Sequence, residues 1–154
     1  MRRAIALARR GIPEASPNPY VGCVLVRNGR VVGEGWHARY GQAHAEPQAI
    51  RRAGAAARGA TAYVTLEPCC HTAKKTPPCV PALIRAGVRR VVASTLDPNP
   101  PVRGRGLRLL RAAGIRAELG LLGAECAALN RPFFTRVREK RPYVILKAAA
   151  SLDG

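Results

Sequence analysis

Tyr20-Val21-Gly22-Cys23-Val24-Leu25-Val26, followed across Asn28-Gly29 by Val31-Val32-Gly33-Glu34-Gly35-Trp36, is the stretch on which the fold turns. The first segment is a continuous apolar run of strand length and predicts a buried strand. Asn28-Gly29 is the dipeptide of a two-residue hairpin turn, so the second segment returns antiparallel to the first. Working outward, Arg2 to Arg10 reads as a short helix stopped by Gly11 and Pro13, and Ser16-Pro17-Asn18-Pro19 as an extended loop. His44 to Ala57 reads as a helix ending near Gly59. Pro47 is tolerated there only in the first turn, where its missing N–H costs nothing. Thr61 to Leu66, Val88 to Ser94 and Ile115 to Leu119 complete a set of five strands. Val80 to Ala86, Gly106 to Ala113 and a mostly helical stretch from Leu121 to about Arg138 alternate with them. After the hairpin, strand and helix alternate, which predicts an α/β protein: a mixed sheet with helices on both faces.

The chain has 154 residues with 47% hydrophobic and 23% charged, enough for one packed domain without disulfide staples. Its charge is lopsided: 26 Lys and Arg oppose 9 Asp and Glu, a formal net charge of +17. That balance favours anionic partners, either phosphorylated small molecules or nucleic acid. The basic residues are spread along the whole chain, so solvated arginines account for much of it. No window reaches transmembrane length, and Ala4 to Ala8 is too short for a signal-peptide core, so a cytoplasmic protein away from membranes is expected. The five cysteines are odd in number, and three of them (Cys69, Cys70, Cys79) crowd one loop, which argues for metal binding over disulfides. Cys23 and Cys126 lie in apolar segments and read as core residues.

The chemistry resides in His44-Ala45-Glu46, Pro68-Cys69 and Cys79. One imidazole and two thiolates suit Zn2+, and three protein ligands leave the fourth position to water, as in a catalytic site. Glu46, two residues from His44 on the same first helical turn, is placed to shuttle protons. H-x-E with P-C…C is the signature of zinc deaminases, which replace an amino group on a heterocycle by water. Here nine residues separate the two cysteines where the compact signature has two. Cys70 competes as a ligand; Cys69 is preferred because Pro68 directly precedes it.

Ser16-Pro17-Asn18-Pro19-Tyr20-Val21-Gly22-Cys23-Val24, Gly33-Glu34-Gly35-Trp36-His37, His44-Ala45-Glu46, Leu66-Glu67-Pro68-Cys69-Cys70-His71, Thr76-Pro77-Pro78-Cys79 and Asp97-Pro98-Asn99-Pro100 together resemble one family. It is the deaminase domain of the bifunctional riboflavin-biosynthesis deaminase/reductases, and the resemblance runs over essentially the whole chain. It implies a three-layer α/β/α, cytidine-deaminase-like fold with a five-stranded sheet. It also implies a substrate, 2,5-diamino-6-(5-phosphoribosylamino)pyrimidin-4-one, deaminated to the 5-amino-uracil form with release of ammonia. By matching positions, His44, Cys69 and Cys79 would bind zinc and Glu46 would be catalytic. Asn18, His37 and His71 would line the substrate pocket, one of Lys74 and Lys75 would lie near the phosphate, and Asp97 and Asn99 would face the site. The loop between the cysteines is one residue longer than the family's, which leaves open which lysine takes that role.

The resemblance further divides the chain into a deaminase domain, 1–140, and the opening of a truncated reductase domain, 141–154, beginning with a strand from Tyr143 to Leu146. NADPH would belong only to that second domain, so no reduction is expected from this chain. Self-association into a homo-oligomer is compatible with the sequence. Two rivals share the zinc logic: a nucleic-acid base deaminase of the tRNA adenosine type, and a non-catalytic RNA-binding module with a relic zinc site. Only 5% of residues are aromatic, too few for an evident base-stacking platform, which argues against nucleic acid. The intact Glu46 argues against the relic.

Overall fold

A computed structural model describes residues 1–72 and 75–151. Five strands form one mixed sheet in the order β2-β1-β3-β4-β5. β1 (Gly22–Arg27) and β2 (Arg30–Trp36) make the expected hairpin. Asn28 and Gly29 both take positive φ, as a tight two-residue turn between right-twisted strands demands. β1 also pairs antiparallel with β3 (Thr61–Val64). β3, β4 (Arg90–Ala93) and β5 (Arg116–Leu119) then run parallel.

α1 (Arg2–Arg9) and α2 (Ala45–Ala53) cover opposite faces of the hairpin. Cys23 and Leu25 join Ala45 and Ala49 in the main core, whereas Val24 packs with Ala4 and Leu7. That is the alternation of a strand buried on both sides. Glycine permits the close approach of α2: a Cβ on Gly33 or Gly35 would stand 2.3 Å and 2.1 Å from the carbonyl oxygens of Ala49 and Ala45. α3 (Cys79–Arg85) and α4 (Arg105–Ala112) follow β3 and β4, and α5 (Gly123–Leu129) and α6 (Arg131–Glu139) close the chain.

Four expectations need correction. The helix expected over 44–57 ends as α at Ala53 and continues as a 3-10 turn, Gly54–Ala57, because Gly54 takes a positive φ. Residues 16–18 are not extended; 11–17 form successive turns and 18 a bend, with Ser16 N–H donating to Pro13 O and Asn18 N–H to Ala15 O. The helical stretch from Leu121 is two helices, divided at Asn130. Tyr143 to Leu146 forms no strand: Val144, Ile145 and Leu146 are 77%, 77% and 91% exposed. Strand geometry needs a hydrogen-bonded neighbour, and no strand of this sheet runs beside it.

The break at Asn130 is a fixed joint. Its side chain is wholly buried and works as a surrogate peptide. Oδ1 accepts from Tyr20 N–H at 2.7 Å, and Nδ2 donates to Tyr20 O at 3.0 Å. This ties the start of α6 to the entry of β1.

Candidate active site

The site lies where the first turn of α2, the loop after β3 and the first turn of α3 meet. His44 is the residue before α2, in extended conformation, and Cys79 is the first residue of α3. The loop from β3 brings Cys69 beside them, because Cys79 N–H and Val80 N–H both donate to Cys69 O. His44 Nδ1 lies 3.5 Å from Cys69 Sγ and 3.4 Å from Cys79 Sγ, and the three donor atoms fall within 4.8 Å of one another.

Two details suit this triad to a soft-to-borderline metal. His44 Nε2 lies 3.0 Å from Thr76 Oγ1. Assigning the ring proton to that contact leaves Nδ1 as a bare lone pair facing the sulfurs, the arrangement in which an outer hydrogen bond orients a metal-binding imidazole. Cys79 N–H also donates to Cys69 Sγ at 3.3 Å, which favours a thiolate. Two sulfurs and one imidazole are the donor set of zinc sites, and three donors are those of a catalytic one. Cys70, the competing ligand in the sequence, is outside the cluster; its thiol donates to Pro101 O at 3.6 Å.

Glu46, in the first turn of α2, is 3% exposed yet opens on the same cleft. Burial pushes its carboxyl above the usual range, helped by the neighbouring Cys69 sulfur, while His44 pulls it down.

The cleft has a volume of about 380 Å³. It brings together nearly all the residues that sequence marks: Asn18, His37, His44, Glu46, Cys69, His71, Lys75, Asp97 and Asn99 line it. Cys79 sits behind the wall, fully buried. Lys74 lies outside the described residues. His37 N–H at Nδ1 donates to Ala43 O, which leaves Nε2 to accept from Asn18 Nδ2 at 3.1 Å. The ring lies edge-on to His44, with centroids 5.1 Å apart. His71 Nδ1 is buried and has no hydrogen-bond partner among the described residues. Lys75 places its ammonium 4.6 Å over the Tyr40 ring at the rim. Asp97 Oδ1 accepts from both Asn99 N–H and Asn99 Nδ2, each at 2.8 Å. Burial nevertheless raises Asp97 to about 6, partly offset by those two bonds.

Sequence reasoning missed three contributors. Glu67 is buried, and its carboxylate accepts from the backbone N–H groups of Asp97 (3.3 Å), Gly104 (2.9 Å) and Leu107 (3.2 Å). It welds the cysteine loop to the Asp97–Asn99 loop and the start of α4. Its signal was present in Leu66-Glu67-Pro68, a charged residue inside an otherwise apolar and cysteine-bearing run. Thr76, which holds His44, and Arg136, which joins the cleft wall from α6, carry no local signal.

A family model described as the cytidine and deoxycytidylate deaminase zinc-binding region matches residues 1–95. The chain is 57% identical over 154 residues to the riboflavin biosynthesis protein RibD of Escherichia coli, and spans 42% of that protein's length. It is 51% identical over 142 residues to the diaminohydroxyphosphoribosylamino-pyrimidine deaminase of Buchnera aphidicola, covering 92% of this chain and 96% of that one. Among solved structures, RibD of Acinetobacter baumannii superposes with a TM-score of 0.93 at 50% identity, covering 99% of this chain and 43% of that one. The five-stranded sheet and its helices are thus the cytidine-deaminase-like fold.

Proposed function

This chain belongs to the cytidine and deoxycytidylate deaminase zinc-binding family, and from that premise we propose that it deaminates 2,5-diamino-6-(5-phosphoribosylamino)pyrimidin-4-one, releasing ammonia on the route to riboflavin. The observation that carries the reading is the His44–Cys69–Cys79 triad beside the buried carboxyl of Glu46 at the floor of one cleft. His44 Nδ1 and the two sulfurs would hold zinc, whose Lewis acidity brings the pKa of a water down to about 7.

The residues of the chain do the rest. Glu46 takes the proton from water and passes protons to the ring nitrogen and the departing amine; a raised carboxyl suits both directions. Asn18 and His37, hydrogen-bonded to each other, offer a fixed polar edge to the flat ring. His71 Nδ1, without a hydrogen-bond partner among the described residues, offers a further nitrogen. Asp97 and Asn99 add further polar groups to the cleft, held in place through Glu67. Leu66, Val21 and Phe133 supply the apolar wall that keeps bulk water from the reacting carbon. Residues 141–154 would then open a reductase domain, to which NADPH binding belongs.

The test is ammonia release from the freshly made pyrimidine, with a tRNA anticodon stem-loop as the competing substrate. Glu46→Gln should keep about one zinc per chain and lose at least about 10²-fold in kcat. Activity on the RNA alone would overturn the assignment. So would a Glu46→Gln variant that still turns over.

A further inference from the structure

α4 begins without a cap of its own. The residue before it is Gly104, which has no side chain to offer, and its first turn holds no acidic residue. The first N–H groups of a helix have no partner within it and must find one outside. Arg105 and Gly106 donate theirs to Val102 O. The other two go to Glu67, 37 and 40 residues back along the chain: Gly104 N–H donates to Oε2 at 2.9 Å and Leu107 N–H to Oε1 at 3.2 Å. Asp97 N–H adds a third donor at 3.3 Å. None of the salt bridges among the described residues includes Glu67. Its buried carboxylate is sustained instead by these charge-assisted bonds and by the positive end of the helix.

The grip reaches the metal loop within two residues. Glu67 N–H donates to Thr95 O at 2.8 Å, so this residue is fixed at backbone and side chain alike. Pro68 is fully buried, and its ring sets its φ. α4 lies directly against it: a Cβ on Gly106 would overlap Pro68 O and stand 3.1 Å from Glu67 Oε1. Cys69 follows, its carbonyl held by Cys79 N–H and Val80 N–H. Little backbone freedom is left between the start of α4 and the Cys69 sulfur.

We propose that Glu67, gripped by the start of α4 and seated against Gly106, is a positioning residue for the metal. It fixes Cys69 relative to His44 and Cys79, so metal retention is set by a helix that contributes no ligand. This rests on the metal-triad reading above and adds what holds the triad at its spacing. A merely structural role would lower stability and leave the folded protein's affinity for metal as it is.

The experiment measures Zn2+ affinity of the folded protein by competition with a chromogenic chelator, and the absorption spectrum of the Co2+ form. The proteins are the wild type, Glu67→Gln, Gly106→Ala and Leu110→Val. Glu67→Gln keeps the shape but turns an N–H donor towards backbone N–H groups. Its Zn2+ affinity should fall about tenfold, the lower end of what losing an outer partner of a metal ligand costs. Its thiolate-to-Co2+ band should change in position or intensity. Gly106→Ala leaves Glu67 intact but displaces Pro68, and should do the same. Leu110→Val trims a buried side chain of the same helix; it should lower Tm and keep Zn2+ affinity within about twofold of the wild type. Wild-type affinity and an unchanged Co2+ spectrum in both Glu67→Gln and Gly106→Ala overturn the inference. So does Leu110→Val weakening Zn2+ as much as they do, since the loss would then be general loosening. Should Gly106→Ala fail to fold, Glu67→Gln decides alone. A wild type that takes up neither metal refutes the triad reading itself, an outcome distinct from a wild type and variants that bind equally well.

Discussion

Replacing Gly35 by alanine probes how the distance between α2 and the sheet sets the site. A Cβ at residue 35 would stand 2.1 Å from Ala45 O, 2.7 Å from Ala49 N and 2.8 Å from Gln48 Cβ. Two of these atoms are helix backbone, so no rotamer change relieves the overlap. Restoring an ordinary contact requires α2 to withdraw by roughly 1 Å, since non-bonded heavy atoms settle near 3.5 Å and lesser gaps are strongly repulsive. Overpacking of this kind costs about 1–3 kcal/mol, a fall in Tm of roughly 3–10 °C for a domain of this size. The first turn of α2 carries Glu46, with His44 immediately before it, while Cys69 and Cys79 sit on other elements. The same shift therefore opens the triad, and a misplacement of about 1 Å costs on the order of 10²-fold in turnover. Thermal unfolding, zinc per chain and kcat are read together. Gly123→Ala is the control, because its nearest contact would be an ordinary 3.4 Å. A Gly35→Ala protein with wild-type Tm, zinc content and kcat would refute the reasoning.

Glu67→Gln turns one acceptor oxygen into a donor facing backbone N–H groups; it should cost about 1–3 kcal/mol in urea unfolding and raise KM, because the Asp97–Asn99 loop is released. Asp97 should make stability fall with rising pH. Its carboxyl is raised to about 6 in the fold, so between its unfolded value near 3.8 and that point the native state binds more protons. The penalty is absent below about 4 and complete above about 7. Compared at equal zinc loading, Asp97→Asn should therefore gain on the wild type by roughly 1.5 kcal/mol more at pH 8 than at pH 5. Equal differences at the two pH values would remove burial as the cause.

The hairpin and the start of the helix after His44 were legible because each is written in consecutive residues, whereas His44, Cys69 and Cys79 stood out by residue type and are joined only by the fold. Asn28-Gly29 encodes its own turn, Pro47 can occupy only a first turn, and a histidine before a helix start has a fixed relation to the glutamate two residues on. What was not legible depends on partners far along the chain. Asn130 divides α5 from α6 because Tyr20, 110 residues away, needs its amide. Leu121 to Arg138 contains no such signal, since Pro132 is harmless near a helix start. Arg136 reaches the cleft only because α6 is anchored there. Ser16-Pro17-Asn18-Pro19 suggested extension from its prolines alone, but Gly11 O and Pro13 O capture the N–H groups of Ala15 and Ser16 in turns. Tyr143 to Leu146 has strand composition, and composition cannot supply a neighbour.

The Asn130 amide also limits how far the domain can be shortened. Residues 131–140 supply none of the three clustered donors, and a designer seeking a smaller catalyst would be tempted to cut there. Such a cut would loosen the clasp that holds Tyr20's peptide inside the protein and would remove Phe133 from the cleft wall. It would also free the Pro17 carbonyl that Arg136 now restrains. The segment carrying Asn18 enters β1 through Tyr20, so miniaturisation from that end would blur the recognition edge before it reached the metal.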